Sequence, residues 1–135
     1  MDVTALQAEI EAAFETIGEL TPMTQGPVRT AVFEALRLLD SGDLRVAEKQ
    51  GDTWVTHQWL KKAVLMSFRL SANEVMRAGS LGGGVGPWWD KVPNKFDGWE
   101  APQFEAAGFR AVPHSVVRRG AFIARNVVLM PSFVN

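Results

Sequence analysis

Apolar residues recur three and four apart at the start of the chain, at Val3, Leu6, Ile10, Phe14 and Ile17. That spacing forms one stripe of an amphipathic helix, with Thr4 and Gln7 spaced as a capping box at its start. Thr21-Pro22 and Gly26-Pro27 break the pattern, and Pro27 suits the first turn of a second helix. Its stripe is Val28, Val32, Leu36 and Leu39, and Ser41-Gly42 ends it. The segment Leu44 to Lys49, the turn Gln50-Gly51-Asp52 and the segment Thr53 to His57 read as a β-hairpin. A third helix is predicted from Gln58 to Phe68; it is apolar around much of its circumference and should be largely buried.

From Ser71 to Trp99 the periodicity fails. Gly79, Gly82, Gly83, Gly84 and Gly86 precede Pro87-Trp88-Trp89, which is loop chemistry with aromatic anchors. A short helical turn over Gln103 to Ala107 leads through Gly108 into a stretch that reads in sixes. Aliphatic residues open three successive hexads (Val117, Ile123, Leu129), and apolar ones close four (Val116, Phe122, Val128, Val134). A period of six fits neither a helix nor a simple strand; it is the signature of a parallel β-helix, with the sixth-residue side chains stacked inside. Three sixes make one coil of a three-sided helix, and such solenoids need several stacked coils. With one coil started by Asn135, the chain is expected to be the front part of a longer protein. The pattern thus divides into an α+β N-terminal domain (1–70), a connecting segment with a glycine-rich loop (71–110) and the start of a β-helix (111–135).

Composition narrows the function classes. The 135 residues are 47% hydrophobic and 21% charged with a formal charge of −1, so no charge imbalance draws the whole chain to nucleic acid or an acidic membrane. The absence of cysteine removes disulfides, thiolate metal sites and a cysteine nucleophile. No apolar run approaches the ~20 residues that span a bilayer, and Asp2, Glu9 and Glu11 stand where a secretory signal would carry a basic region. A cytoplasmic location is the expectation.

The run Gly82-Gly83-Gly84-Val85-Gly86 lacks the Lys-Ser/Thr of a P-loop, so a surface loop is the simpler reading. His57 and His114 are too few and too far apart for a metal site. His57, beside Trp59, reads as a packed and hydrogen-bonded residue. Lys61, Lys62 and Arg69 read as a solvated edge, with positions 62 and 69 two turns apart. Trp54, Trp59, Trp88, Trp89 and Trp99 have no basic stripe between them, so packing is favoured over base stacking. Arg110, Arg118, Arg119 and Arg125 all belong to the beginning of the coil. Guanidinium groups bind carboxylates bidentately, so this cluster either anchors a dicarboxylate or acidic cofactor, or is ordinary surface charge.

Several blocks in order carry a specific resemblance. Leu44 to Lys49, Trp54 to Leu65 and Ser67-Phe68-Arg69 closely resemble the N-terminal domain of tetrahydrodipicolinate N-succinyltransferases. So do Asp90-Lys91-Val92-Pro93, Lys95-Phe96, Gly108-Phe109-Arg110 and Val112-Pro113. The likeness continues through Val117-Arg118, Gly120 to Asn126, Val128 to Ser132 and Val134-Asn135. The glycine loop at 79 to 86 looks like an insertion, and His114 stands where a small residue or proline is expected.

The resemblance implies an enzyme of lysine and diaminopimelate biosynthesis. It moves a succinyl group from succinyl-CoA, a co-substrate, to the amino group of ring-opened tetrahydrodipicolinate. It also implies a homotrimer of left-handed β-helices with active sites between subunits, and it assigns the arginine of the Gly-Phe-Arg motif, Arg110, to a substrate carboxylate. The chemistry is acyl transfer, in which a carboxylate base takes a proton from the amine as it attacks the thioester. In this family that carboxylate and the coenzyme A groove belong to later coils, so no catalytic residue and no metal site is assigned within the chain, which should not turn over substrate alone. The rivals are a non-catalytic module that trimerises or docks on a partner, and a hexapeptide acyltransferase with another acceptor.

Overall fold

The computed structural model describes residues 2–77 and 86–135. The glycines expected to form a surface loop at 79 to 84 lie outside the described residues. Three helices form the first half: α1 (Val3–Phe14), α2 (Pro27–Ser41) and α3 (Gln58–Leu70), with a single 3₁₀ turn at Ile17–Glu19 after α1. Their apolar stripes meet in one core, where Leu6, Ile10, Val32, Leu60, Met66 and Leu70 are all but sealed from solvent.

The helix ends differ in part from expectation. Pro27 opens α2, and Gly42, left-handed at φ 82°, closes it by returning its N–H to Leu39. The capping box predicted for α1 does not form. The N-cap is Asp2, which puts Ala5 at the position that must reciprocate and Thr4 inside the first turn. Gln7 instead donates to Glu11 at 3.0 Å, one turn on. A true capping box occurs at α4 (Ala101–Ala107), between Glu100 and Gln103, and this helix fills the predicted helical turn.

The hairpin pairs β1 (Ala47–Gln50) with β2 (Thr53–Thr56), Gln50 opposite Thr53. It starts at Ala47 rather than Leu44 because Leu44 and Val46 turn inward onto the helical core. On α3, Trp59, Leu60, Ala63, Met66, Ser67 and Leu70 are buried, while Lys61, Leu65 and Arg69 remain on an exposed edge. Within the segment read as loop, β3 (Glu74–Met76) and β4 (Trp88–Asp90) form a short antiparallel ladder. Each strand has only three residues, too few for alternation to register in the sequence.

A second core gathers around Phe109, Val117 and Leu129. Phe96, Trp99 and Phe104 pack on Phe109, with ring centroids 5.6 Å apart for Phe96–Phe109 and 5.1 Å for Trp99–Phe104. Here the chain doubles back in parallel. The strand β5 (Arg110–Ala111) pairs with β7 (Val128–Leu129), Arg110 opposite Val128; β6 (Val116–Val117) pairs with β8 (Phe133–Val134), Val117 opposite Val134. The return thus comes after eighteen residues in one ladder and seventeen in the other. The apolar rows separate by side. Val117 and Leu129 are buried with Ile123 packed against them, whereas Phe122 and Val128 are exposed. Of the row expected to stack inside, Phe122 and Val128 therefore face out, Val116 is half-buried and only Val134 packs on this core, because adjacent extended residues point to opposite sides.

Candidate functional site

The two cores are joined through a polar knot built on Asp40 in the last turn of α2. One oxygen of its carboxylate lies 2.7 Å from Lys95 Nζ and accepts the Gly120 N–H at 2.8 Å. Lys95 Nζ also donates to the Asp40 carbonyl at 3.0 Å, and the Lys95 N–H donates to the Val117 carbonyl at 2.7 Å. Lys95 is 8% exposed, a burial that a lysine tolerates only when paired. Beside this knot the Phe122 ring covers Gly42 and carries the Arg45 guanidinium 4.1 Å above it. A Cβ on Gly42 would stand 2.6 Å from that ring.

The arginine cluster is divided rather than gathered. Arg118 donates to Asp90 at 2.7 Å and to the Asn135 side chain at 3.2 Å. Arg125 donates to the Ala106 carbonyl at 2.7 Å and lies against Gly108, where a Cβ would be 2.8 Å from the guanidinium carbon. Both are spent on structure. Arg110 and Arg119 are exposed, and among the described residues neither side chain makes a hydrogen bond or ion pair. The Arg110 backbone is nonetheless fixed: its N–H donates to Val127 at 2.9 Å, and Phe109 beside it is buried. The guanidinium thus projects from an anchored strand.

Asp90 responds to opposing influences. Burial raises its pKa, but the Arg118 hydrogen bond, the N–H groups of Lys91 and Val92, and the Arg118 charge outweigh it and hold the carboxyl below its ordinary value. His57 Nε2 lies 2.7 Å from Glu48 across the hairpin, the packed and hydrogen-bonded role expected of it. That bond, and a second from Gln50, hold Glu48 below its ordinary value. The tryptophans split. Trp59 is in the helical core and Trp99 in the aromatic cluster, but Trp54, Trp88 and Trp89 are 69%, 44% and 67% exposed, so packing within the chain accounts for only two of the five. His114 sits exposed at φ 72° after Pro113, with the Ser115 N–H returned to Val112. A glycine fits that angle best, and proline, locked near −65°, could not take it.

A feature without a sequence signal is a groove of about 380 Å³ between the two cores. The exposed edges of α2 and α3 supply its apolar wall, including Phe33, Leu65 and Phe68; the region of the parallel ladders and the segment before it supply Lys91, Arg118 and Arg119. Among the described residues, no group of three histidines, cysteines or carboxylates could hold a metal, and no helix is long and apolar enough to cross a membrane.

Residues 5–70 match the family model for the N-terminal domain of tetrahydrodipicolinate N-succinyltransferase. Curated relatives extend the match over nearly all of the chain. The 2,3,4,5-tetrahydropyridine-2,6-dicarboxylate N-succinyltransferase of Caulobacter vibrioides is 74% identical over 130 residues, 96% of this chain and 47% of the relative. The enzymes of the same name from Methylobacterium sp. and Agrobacterium fabrum are 61% and 57% identical, covering 96% and 99% of this chain and 46% of each relative. The chain is similar to the N-terminal portion of tetrahydrodipicolinate N-succinyltransferases. It spans about half the length of the curated relatives it matches. The family model ends at Leu70, where α3 and the helical core also end, while relatives match on through the parallel ladders.

Proposed function

We propose that the chain forms the N-terminal part of an acyltransferase that succinylates tetrahydrodipicolinate from succinyl-CoA, a step of lysine and diaminopimelate biosynthesis in the cytoplasm. The observation that carries this reading is the 74% identity to a named succinyltransferase across 96% of the chain. The parallel return after eighteen residues adds physical support, since three hexads per turn is the pitch of a three-sided parallel β-helix. We read residues 111–135 as the first coil of a left-handed β-helix, 1–70 as an α+β cap and 71–110 as the connection between them. The complete protein assembles as a homotrimer whose substrates lie between neighbouring subunits.

Arg110 is the residue of this chain that holds a substrate carboxylate. It is charged at any working pH, rooted in a backbone ladder and uncommitted among the described side chains, which is the preorganisation a carboxylate anchor needs. The general base and the coenzyme A groove belong to coils beyond those of this chain, and neither needs a metal or a permanently bound cofactor. Two assays test this reading. The 135-residue chain should release no CoA from succinyl-CoA above the uncatalysed rate; measurable turnover refutes the need for further coils. In a complete enzyme, Arg110→Ala should raise KM for tetrahydrodipicolinate about 10- to 100-fold, the worth of a charge-assisted hydrogen-bonded pair, while coenzyme A binding is unchanged. Unchanged dicarboxylate affinity removes Arg110 from the site and favours an acyltransferase with another acceptor.

A further inference from the structure

The groove between the two cores has an unusual charge pattern. All its ionisable lining side chains, Lys61, Lys91, Arg118 and Arg119, are cations. Two are committed: Lys91 Nζ donates to the Phe68 carbonyl at 3.1 Å, and Arg118 is held by Asp90. Lys61 on α3 and Arg119 beside β6 both line the groove, exposed and without a hydrogen bond or ion pair among the described side chains. The lining is otherwise largely apolar, with Phe33 38% and Leu65 49% exposed.

We infer that this groove is a binding site for a small amphipathic anion, a carboxylate or phosphate on an apolar body. The apolar body lies on Phe33, Leu65 and Phe68, and the anionic head meets Lys61 and Arg119. Two physical arguments select that class. Lys61 and Arg119, cations on partly apolar walls without a carboxylate side chain paired to them, leave a field that an anion relieves, and apolar surroundings strengthen the pairing. About 380 Å³ lies in the range of small-molecule pockets, and a concave slot bounded by three chain segments suits a small molecule better than the broad flat patch of a protein interface. The site is distinct from the Arg110 anchor, because neither Arg110 nor Arg125 lines the groove. It therefore stands or falls independently of the proposed succinyl transfer.

The test uses the 135-residue protein titrated with decanoate, decanol and decylammonium below their micelle concentrations, followed by amide chemical shifts. Decanoate should bind saturably, with shifts centred on Phe33, Leu65, Phe68 and Arg119, and at least about tenfold more tightly than decanol or decylammonium. Lys61→Glu and Arg119→Glu, both at exposed positions that leave the cores intact, should each weaken decanoate about tenfold, the scale of one charge-assisted contact. Equal affinity for decanol, unchanged affinity in both variants, or shifts that map elsewhere overturn the proposal. Binding of an acidic amphipathic peptide to the same residues without decanoate binding also overturns it, in favour of a protein partner.

Discussion

At the scale of single residues, two positions show how backbone angle and close packing constrain choice. Gly42 is left-handed and lies beneath the Phe122 ring, so an added methyl meets strain and overlap together. Gly42→Ala should lower stability by about 2 kcal/mol in urea unfolding, more than the ~1 kcal/mol left-handed penalty alone. His114 presents the reverse case: φ is 72° and the side chain is exposed, so nothing local repays the strained angle. His114→Gly should stabilise the chain by about 0.5–1 kcal/mol, and a loss of stability instead would reveal a favourable role for the imidazole. Only the first half of each story is visible in the sequence. Ser41-Gly42 announces a helix end, but the ring that covers it comes eighty residues later.

At the scale of elements, legibility followed the length of the repeating pattern. The three long helices and the hexads each repeat an apolar signal several times, so their positions follow from period alone. The ladder of β3 and β4 offers three residues per strand and no repeat, and it was invisible. The α1 capping box failed for a similar reason: Thr4 and Gln7 have the right spacing, but the spacing does not reveal which residue starts the helix. The groove carries no signal in the sequence, because its walls come from separate segments of the chain. The Asp90–Arg118 pair joins two of these segments and titrates. Asp90 has a depressed folded-state value, so its contribution is complete above the ordinary aspartate range and is lost as pH falls through the folded value. Acid titration should therefore loosen the contact between β4 and the coil below about pH 4. Asp90→Asn should remove that dependence while leaving the neutral-pH fold intact; an unaltered acid profile would discount the pair.

At the scale of the whole molecule, stability depends on one buried lysine. Asp40 neutralises Lys95 and accepts the Gly120 N–H, so the helical core, the connecting segment and the coil share one carboxylate. Removing one partner of a buried pair leaves an uncompensated charge, which costs about 3 kcal/mol. Asp40→Ala should show that loss in chemical denaturation, and Asp40→Ala with Lys95→Met should regain part of it. A double variant no better than the single would mean that the Gly120 contact, rather than the charge, dominates.

The same carboxylate bears on the order in which the protein is made. The three-helix core draws on residues no later than Leu70, whereas the parallel ladders begin only at Arg110. Asp40 is synthesised and presented on α2 well before Lys95 and Gly120 leave the ribosome. The helical half is thus a finished template when the parallel ladders arrive, and a single oxygen atom fixes where they join it.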